Sequence, residues 1–317
     1  MESSNTNPNW DCVIVGGGAT GASAAVLLGR ARRRTLVVDA GPVAATAPSG
    51  ACSVAGSSEE GGDWGGSGAS LGQLGEFPTV TVRSGRVERA ERLDTGFAAT
   101  LDNGERVTAR RILIASGIDV VAPDIPGALE LWGRGTLFHC PFQNGWEMRD
   151  RRWAATGVSD VGMVRALAAR GWSDDVVLLS DGPAELSAES AARLDAAGVQ
   201  VCEGEITGLT GSDGKLKAIT FADGSALERD AMLVAPDFGQ RWDGADELGL
   251  ELTEMGALTV DAIGRTNVDG VFAAGDAAAG PQYVNGSHAA VFVHISLVAE
   301  EYELPYLMPA PAPVAIR

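Results

Sequence analysis

Cysteine, histidine and positive charge are all scarce in this chain of 317 residues. Its four cysteines, Cys12, Cys52, Cys140 and Cys202, form no Cys-x-x-Cys pair and no spacing that suits a metal site, so neither a disulfide relay nor a metal centre is expected from them. Basic residues number 24 against 42 acidic ones, and the net charge of −18 argues against nucleic acid or an anionic membrane surface as a partner. The one basic run, Arg30 to Arg34, is too short to change that; it is expected to end a helix, where cations complement the dipole. Long hydrophobic runs are missing as well. No stretch of 18 apolar residues and no leader-type apolar segment occurs, which gives the expectation of a cytoplasmic protein with reduced thiols. What remains, 45% hydrophobic and 21% charged residues, suits a soluble enzyme long enough for two cores.

Glycine carries the first positive signal. Gly16-Gly17-Gly18-Ala19-Thr20-Gly21 follows the apolar run Cys12 to Val15 and precedes the helix-forming stretch Ala22 to Arg30. In such a strand, turn and helix the first glycine makes the turn and the second lets backbone approach a pyrophosphate. The third lets the helix pack on the strand, with the helix N-terminus facing the anion. A second apolar run, Thr35 to Val38, ends at Asp39, placed to accept hydrogen bonds from a ribose, with Ala40 and Gly41 beside it. A later loop, Gly157-Val158-Ser159-Asp160-Val161-Gly162, keeps the outer glycines and lacks the middle one. Asp160 would place negative charge against a pyrophosphate, and no arginine cluster follows the next strand, Val176 to Leu179, to hold a 2′-phosphate. The expectation is one dinucleotide site kept and one degraded, with Asp181 as the remaining opening for an unphosphorylated nicotinamide nucleotide.

The segment Thr266 to Asp276 reads as a short buried strand ending in Gly275-Asp276, followed by a turn and a helix from about Gln282. Asp276 is either a ligand-facing carboxylate or a helix cap without a ligand. A further strand, Arg111 to Ile114, runs into Ala115-Ser116-Gly117.

In this order the motifs, together with Phe138-His139-Cys140-Pro141-Phe142-Gln143-Asn144-Gly145-Trp146-Glu147, resemble the thioredoxin-reductase-like flavoproteins, and more narrowly the dithiol oxidases of natural-product and antibiotic biosynthesis. The resemblance spans about Asp11 to Glu301 and implies FAD. By that likeness Gly16, Gly18, Ala19, Thr20, Gly21, Asp39, Ala40 and Gly41 hold its adenylate and pyrophosphate end, and Val87, in Gly85-Arg86-Val87-Glu88, sets backbone against adenine. Ala115, Ser116, Gly117, Gly275, Asp276, Gln282, Tyr283 and Val284 belong to the ribityl and flavin end. The family's redox pair departs here: Cys140 matches its first cysteine and Gln143 stands in place of its second. An amide forms no disulfide, so the dithiol relay is expected to be absent. Cys140 remains either a thiolate nucleophile or a packed small residue, and a Cys52–Cys140 pair stays open.

The implied fold is α/β, with two Rossmann-like three-layer nucleotide-binding domains, the second inserted into the first. Residues 1–120 and 240–317 would form the FAD-binding domain and 121–239 the NAD(P)-binding-like domain with its degraded loop. The eight glycines between Gly56 and Gly75 suggest a mobile surface loop, and the proline-rich tail after Glu303 cannot continue a helix. The leading expectation is an FAD-dependent oxidase or dehydrogenase acting directly on a small or carrier-protein-tethered biosynthetic intermediate, with O2 as electron acceptor. Gln143, His139, Cys140 and His288 are its candidate catalytic residues. A thiol oxidase using Cys140 and a non-catalytic flavoprotein scaffold for a biosynthetic assembly line are the alternatives, in each case as a homodimer.

Overall fold

The computed structural model describes residues 9–41, 74–235 and 237–305, apart from the Gln143 side chain. The loop expected between Gly56 and Gly75 falls almost wholly outside the described residues; Cys52 and the tail from residue 306 lie outside them altogether. The described chain divides into two compact units, one made of residues 9–41, 74–119 and 238–305, the other of 120–235 and 237.

In the first unit β1 (Trp10–Val15) leads through the glycine loop into α1 (Ala19–Arg30) and on to β2 (Thr35–Asp39). β1 pairs in parallel with β2, Cys12 opposite Thr35 and Val15 opposite Val38. Its Cys12, Val13 and Ile14 are fully buried, the near-continuous apolar run of a strand covered on both faces. The helix offers the sheet small residues, Ala22, Ala24, Ala25 and Gly29, together with Leu28. β3 (Val80–Ser84) extends the parallel edge beyond β2, and β4 (Val87–Arg92), β5 (Phe97–Leu101) and β6 (Arg106–Ile114) form an antiparallel ribbon. β6 is long enough to belong to both. Its first half pairs with β5, and its last residues lie parallel to β1, Val13 opposite Ile112.

The second unit is contiguous in sequence. It begins with α2 (Ala128–Leu131), β7 (Leu137–Phe138), the single turn α3 (Pro141–Asn144), β8 (Arg152–Thr156), α4 (Ser159–Ala169), β9 (Asp175–Leu179), α5 (Ala188–Ala196) and β10 (Gln200–Cys202). The antiparallel strands β11 (Ile206–Ser212), β12 (Lys215–Phe221) and β13 (Ala226–Glu228) follow, and β14 (Ala231–Leu233) closes it. The five parallel strands lie in the order β10, β9, β8, β14, β7. Alternation along them sorts the side chains into two cores. Leu137, Ala154, Val177, Leu179 and Met232 meet α2 and the antiparallel strands on one face, whereas Phe138, Trp153, Ala155, Leu178 and Leu233 meet α4 and α5 on the other. Three layers result.

The chain then returns to the first unit, adds β15 (Val271–Ala273) beside the end of β6, and finishes with α6 (Gly286–Glu301). The expected helix start near Gln282 is four residues early, because the Asn285 side chain accepts a hydrogen bond from the His288 amide at 2.8 Å and caps the helix there. The basic run stands where expected: α1 ends at Arg30, the cation of its last turn. Beyond it Arg33 donates through Nε to His294 Nδ1 at 2.9 Å and pairs with Glu301 at 2.6 Å. Arg110 reaches Glu300 and Glu301, and Arg111 reaches Ser296, so α6 is tied to β6 along its last two turns. Among the described residues no helix is long and apolar enough to cross a membrane.

Candidate functional site

In the first unit the glycine loop, the end of β2, the end of β6 and the turn after β15 meet around one cleft at the C-terminal ends of the parallel strands. Ligands of open α/β sheets bind at such ends. Gly16 holds a φ of +104°, and a methyl group on it would stand 2.5 Å from the Ala115 carbonyl oxygen. Gly21 packs against Gly16 so closely that a methyl group there would meet its carbonyl oxygen at 1.9 Å. Both glycines are therefore demanded by the chain itself.

Gly18 is not, because a methyl group built on it meets no atom of the described residues within 4 Å. It is the N-cap of α1 and carries no side chain to satisfy the first-turn amides, and the first intrahelical bond runs from Ala22 N–H to Gly18 O at 2.8 Å. The amides of Ala19, Thr20 and Gly21 thus begin a helix with positive partial charge and open ground before it. Asp39 closes the side of the loop: its Oδ1 accepts from the Gly17 and Gly41 amides, each at 3.3 Å. Ala40 and Gly41 are exposed next to it.

The opposite wall is built from the late part of the chain. Gly275, at φ +68°, lies against Thr20, where a methyl group would stand 2.3 Å from Oγ1, and its amide donates to the Val284 carbonyl at 2.8 Å. Gly286 at the start of α6 would strike the Thr20 carbonyl oxygen in the same way, at 1.8 Å. Two helix N-termini, those of α1 and α6, therefore converge beside the exposed Asp276. Burial and the Asp276 charge push the ionisation of Tyr283 up, and the neighbouring Thr20 side chain opposes them. Val284 is buried, and Gln282 turns its amide onto the Ala262 carbonyl at 2.8 Å. Val87 is buried and its carbonyl accepts from the Trp242 indole at 3.0 Å, so that oxygen is engaged within the chain. Ser116 and Gly117 are half-buried at the end of β6. His288 Nε2 is buried with no partner among the described residues, its ring 5.1 Å from that of Phe292. These residues, with a vacant cradle before Gly18 and a carboxylate at the end of β2, fit the pyrophosphate and ribose of a dinucleotide.

Three candidates lie in the second unit instead. β7 delivers His139 and Cys140, both half-buried, at the C-terminal end of the parallel sheet, with the His139 ring 6.1 Å from Trp132. Cys140 is the N-cap of α3, whose backbone includes Gln143, and its thiol is free. Cys12 is free as well, but burial in β1 pushes its thiol up to about 12, which removes it as a nucleophile.

The second glycine loop repeats the first in outline. A methyl group on Gly157 would stand 2.7 Å from Gly162 Cα, and one on Gly162 would stand 2.6 Å from the Gly157 carbonyl carbon. Between them Ser159 takes a left-handed φ of +56°, and its amide donates to the Ala184 carbonyl at 2.8 Å. Asp160 is held by the hydroxyls of Ser187 and Ser190 on the next helix. Asp181, also left-handed at φ +52°, accepts the Ile206 amide at 2.6 Å. Arg165 folds back onto the Thr156 carbonyl, and burial lowers its pKa. The Ser159 amide and the Asp160, Asp181 and Arg165 side chains here are each bonded within the chain.

Sequence reasoning passed over this set of internal bonds, the Asn285 cap and Gln240, whose Nε2 donates to the Ala277 carbonyl at 3.0 Å. Asn285 before an apolar helical run was a usable signal; the others depend on residues remote in sequence.

The sequence pattern of the family described as pyridine nucleotide-disulphide oxidoreductase matches residues 10–291. The chain is 29% identical to the thioredoxin reductase tcpT of Claviceps purpurea, over 84% of this chain and 86% of that one. It is 28% identical to the thioredoxin reductase aclD of Aspergillus oryzae, over 93% and 98%. The crystal structure of a putative thioredoxin reductase TrxB from Bacillus anthracis superimposes with a TM-score of 0.77 at 25% identity, covering 92% of this chain and 99% of that one.

Proposed function

The chain belongs to the pyridine nucleotide-disulphide oxidoreductase family, and on that premise we propose that it is an FAD-dependent oxidase or dehydrogenase acting directly on a small or carrier-protein-tethered biosynthetic intermediate. The observation that carries the reading is the ground before Gly18, which the chain leaves clear although nothing in its own packing requires a glycine there. The N-terminal and C-terminal segments form the FAD-binding domain in this reading. Gly16, Gly18 and the first-turn amides of α1 hold the pyrophosphate, Asp39 holds a ribose, and Asp276 with the N-terminus of α6 serves the ribityl and pyrimidine end. Bound FAD supplies two-electron oxidation of the substrate, with O2 as the final acceptor.

The chain's own residues set which molecule is oxidised. With Gln143 in place of a second cysteine, Cys140 has no partner at the family's position, so the substrate itself, rather than a protein dithiol, approaches the cofactor. Gln143 and His139 bind and orient it, and His288, whose buried Nε2 has no partner among the described residues, receives a proton. The middle domain is scaffold in this reading. The Ser159 amide at its helix N-terminus is already taken by the Ala184 carbonyl, and the Asp160 carboxylate beside it is held by the Ser187 and Ser190 hydroxyls, which disfavours a nicotinamide dinucleotide there.

Two measurements test the proposal. The purified protein is expected to be yellow with flavin absorbance, and anaerobic mixing with NADPH is expected to leave that absorbance unchanged over minutes. A colourless protein that takes up no FAD sinks the whole reading, and rapid bleaching sinks the nicotinamide part. Cys140→Ala should keep turnover of the substrate, whereas Gln143→Ala should lower it; the reverse pattern assigns the chemistry to the Cys140 thiol.

A further inference from the structure

A glutamine beside the cleft, Gln240, keeps one end of its amide unpaired among the described residues. Gln240 donates from Nε2 to the Ala277 carbonyl at 3.0 Å, and this bond decides which end of the amide points which way. Its Oε1 is left buried with no partner among the described residues. Buried acceptors are nearly always paired, and one left alone costs free energy of the order of a lost hydrogen bond. The surroundings indicate what it waits for. Ala277 directly follows Asp276 in the turn that lies against Thr20. The next residue, Arg241, pairs with Asp119 at 2.8 Å, and its guanidinium is the one group within 4 Å of where a Gly117 methyl would stand. The Gln240 amide thus lies on the Gly275–Ala277 turn, and Arg241 next to it in sequence reaches the Ala115 to Gly117 segment; these are the two strips assigned to the flavin end. The oxidised isoalloxazine carries a single N–H, on the imide nitrogen of its pyrimidine ring.

We propose that Gln240 is a cofactor-positioning residue whose Oε1 accepts a hydrogen bond from the flavin imide. The assignment rests on the FAD reading of the cleft. It makes an unusual demand on the two states of the protein: the side chain is a burden without the cofactor and an asset with it.

Gln240→Met, of similar length and without the amide, separates these effects. FAD is removed from wild type and variant, each apoprotein is melted, and each is titrated with FAD by quenching of flavin fluorescence. The expected result is an FAD dissociation constant raised about tenfold, the size of one hydrogen bond, and a shifted visible absorption maximum, with the cooperative melt showing that the variant apoprotein folds. A folded variant with wild-type affinity overturns the proposal. So does a folded variant with the wild-type absorption maximum. Failure of wild-type apoprotein to take up FAD is a different result, which removes the reading of the cleft and this proposal with it.

Discussion

Gly16 and Gly21 in the first loop, and Gly157 and Gly162 in the second, each stand where a methyl group would strike backbone less than 3 Å away. The middle positions part company: Gly18 faces clear ground, while Ser159 is left-handed and spends its amide on the Ala184 carbonyl. Packing a helix onto a strand needs the outer glycines whether or not a nucleotide is bound, so both loops retain them. The middle glycine answers only to a ligand. Comparing the two loops therefore distinguishes glycines that serve the fold from the one that serves binding, a distinction the motif alone does not make.

The sharpest way to break that comparison is Gly18→Val. A Cβ there meets no described atom within 4 Å, so the apoprotein should melt as wild type does, while FAD affinity falls by about 100-fold, roughly 2.8 kcal/mol. Fluorescence titration with a parallel melt checks both halves, and a destabilised apoprotein would place Gly18 among the packing glycines. Next in size is Gly162→Ala, whose methyl must displace the Gly157 backbone. A loss of about 2–3 kcal/mol in denaturant unfolding is expected, with FAD binding unchanged. If Gly162→Ala instead weakens FAD binding and leaves stability alone, the two loops cannot be assigned separate duties.

A smaller effect concerns the ion pairs at the far end of α6, which tie it to β6. Arg33 and Arg110 beside Glu301 depress its carboxyl to about 2 from the usual 4.5. A depressed folded-state pKa contributes stability above the unfolded value and loses it as pH falls through the folded one. Glu301→Gln should therefore lower the melting temperature by about 2 °C at pH 7, discounted for the partial exposure of the pair, and the difference from wild type should shrink between pH 4.5 and pH 2. A gap that stays constant across that range would mean the carboxylate charge is not what matters. Smallest is Ser159→Gly, which relieves a left-handed residue and should stabilise by about 0.5 kcal/mol. A loss on denaturant unfolding would give the Ser159 side chain a duty that the backbone geometry does not.

Much of this was legible from the sequence, because it depends on local pattern. β1, α1 and β2 follow from an apolar run, a glycine turn and an alanine-rich stretch, and the missing glycine at Ser159 was visible in the same way. The Ala184 carbonyl that takes up the Ser159 amide was not, since residues 25 positions apart had first to be brought together by the fold of α4, β9 and α5. Gln240 was illegible for the same reason: a glutamine after a linker carries no signal until Ala277 is found beside it. The basic run marked the helix end correctly, but the partners of Arg33, His294 and Glu301, come from the far end of the chain and had no local signal.

The contact of Gly286 with Thr20 has a consequence for how the protein is made. The cleft's two walls are separated by the whole inserted unit, so on the ribosome the early wall must wait until the last helix emerges. The inserted unit ends at residue 237 and can complete its sheet first. At about 5–20 residues per second, translation of α6 lags it by several seconds. Throughout that interval α1 lacks the neighbour it is shaped to touch, and the nascent chain holds a finished guest inside an unfinished host.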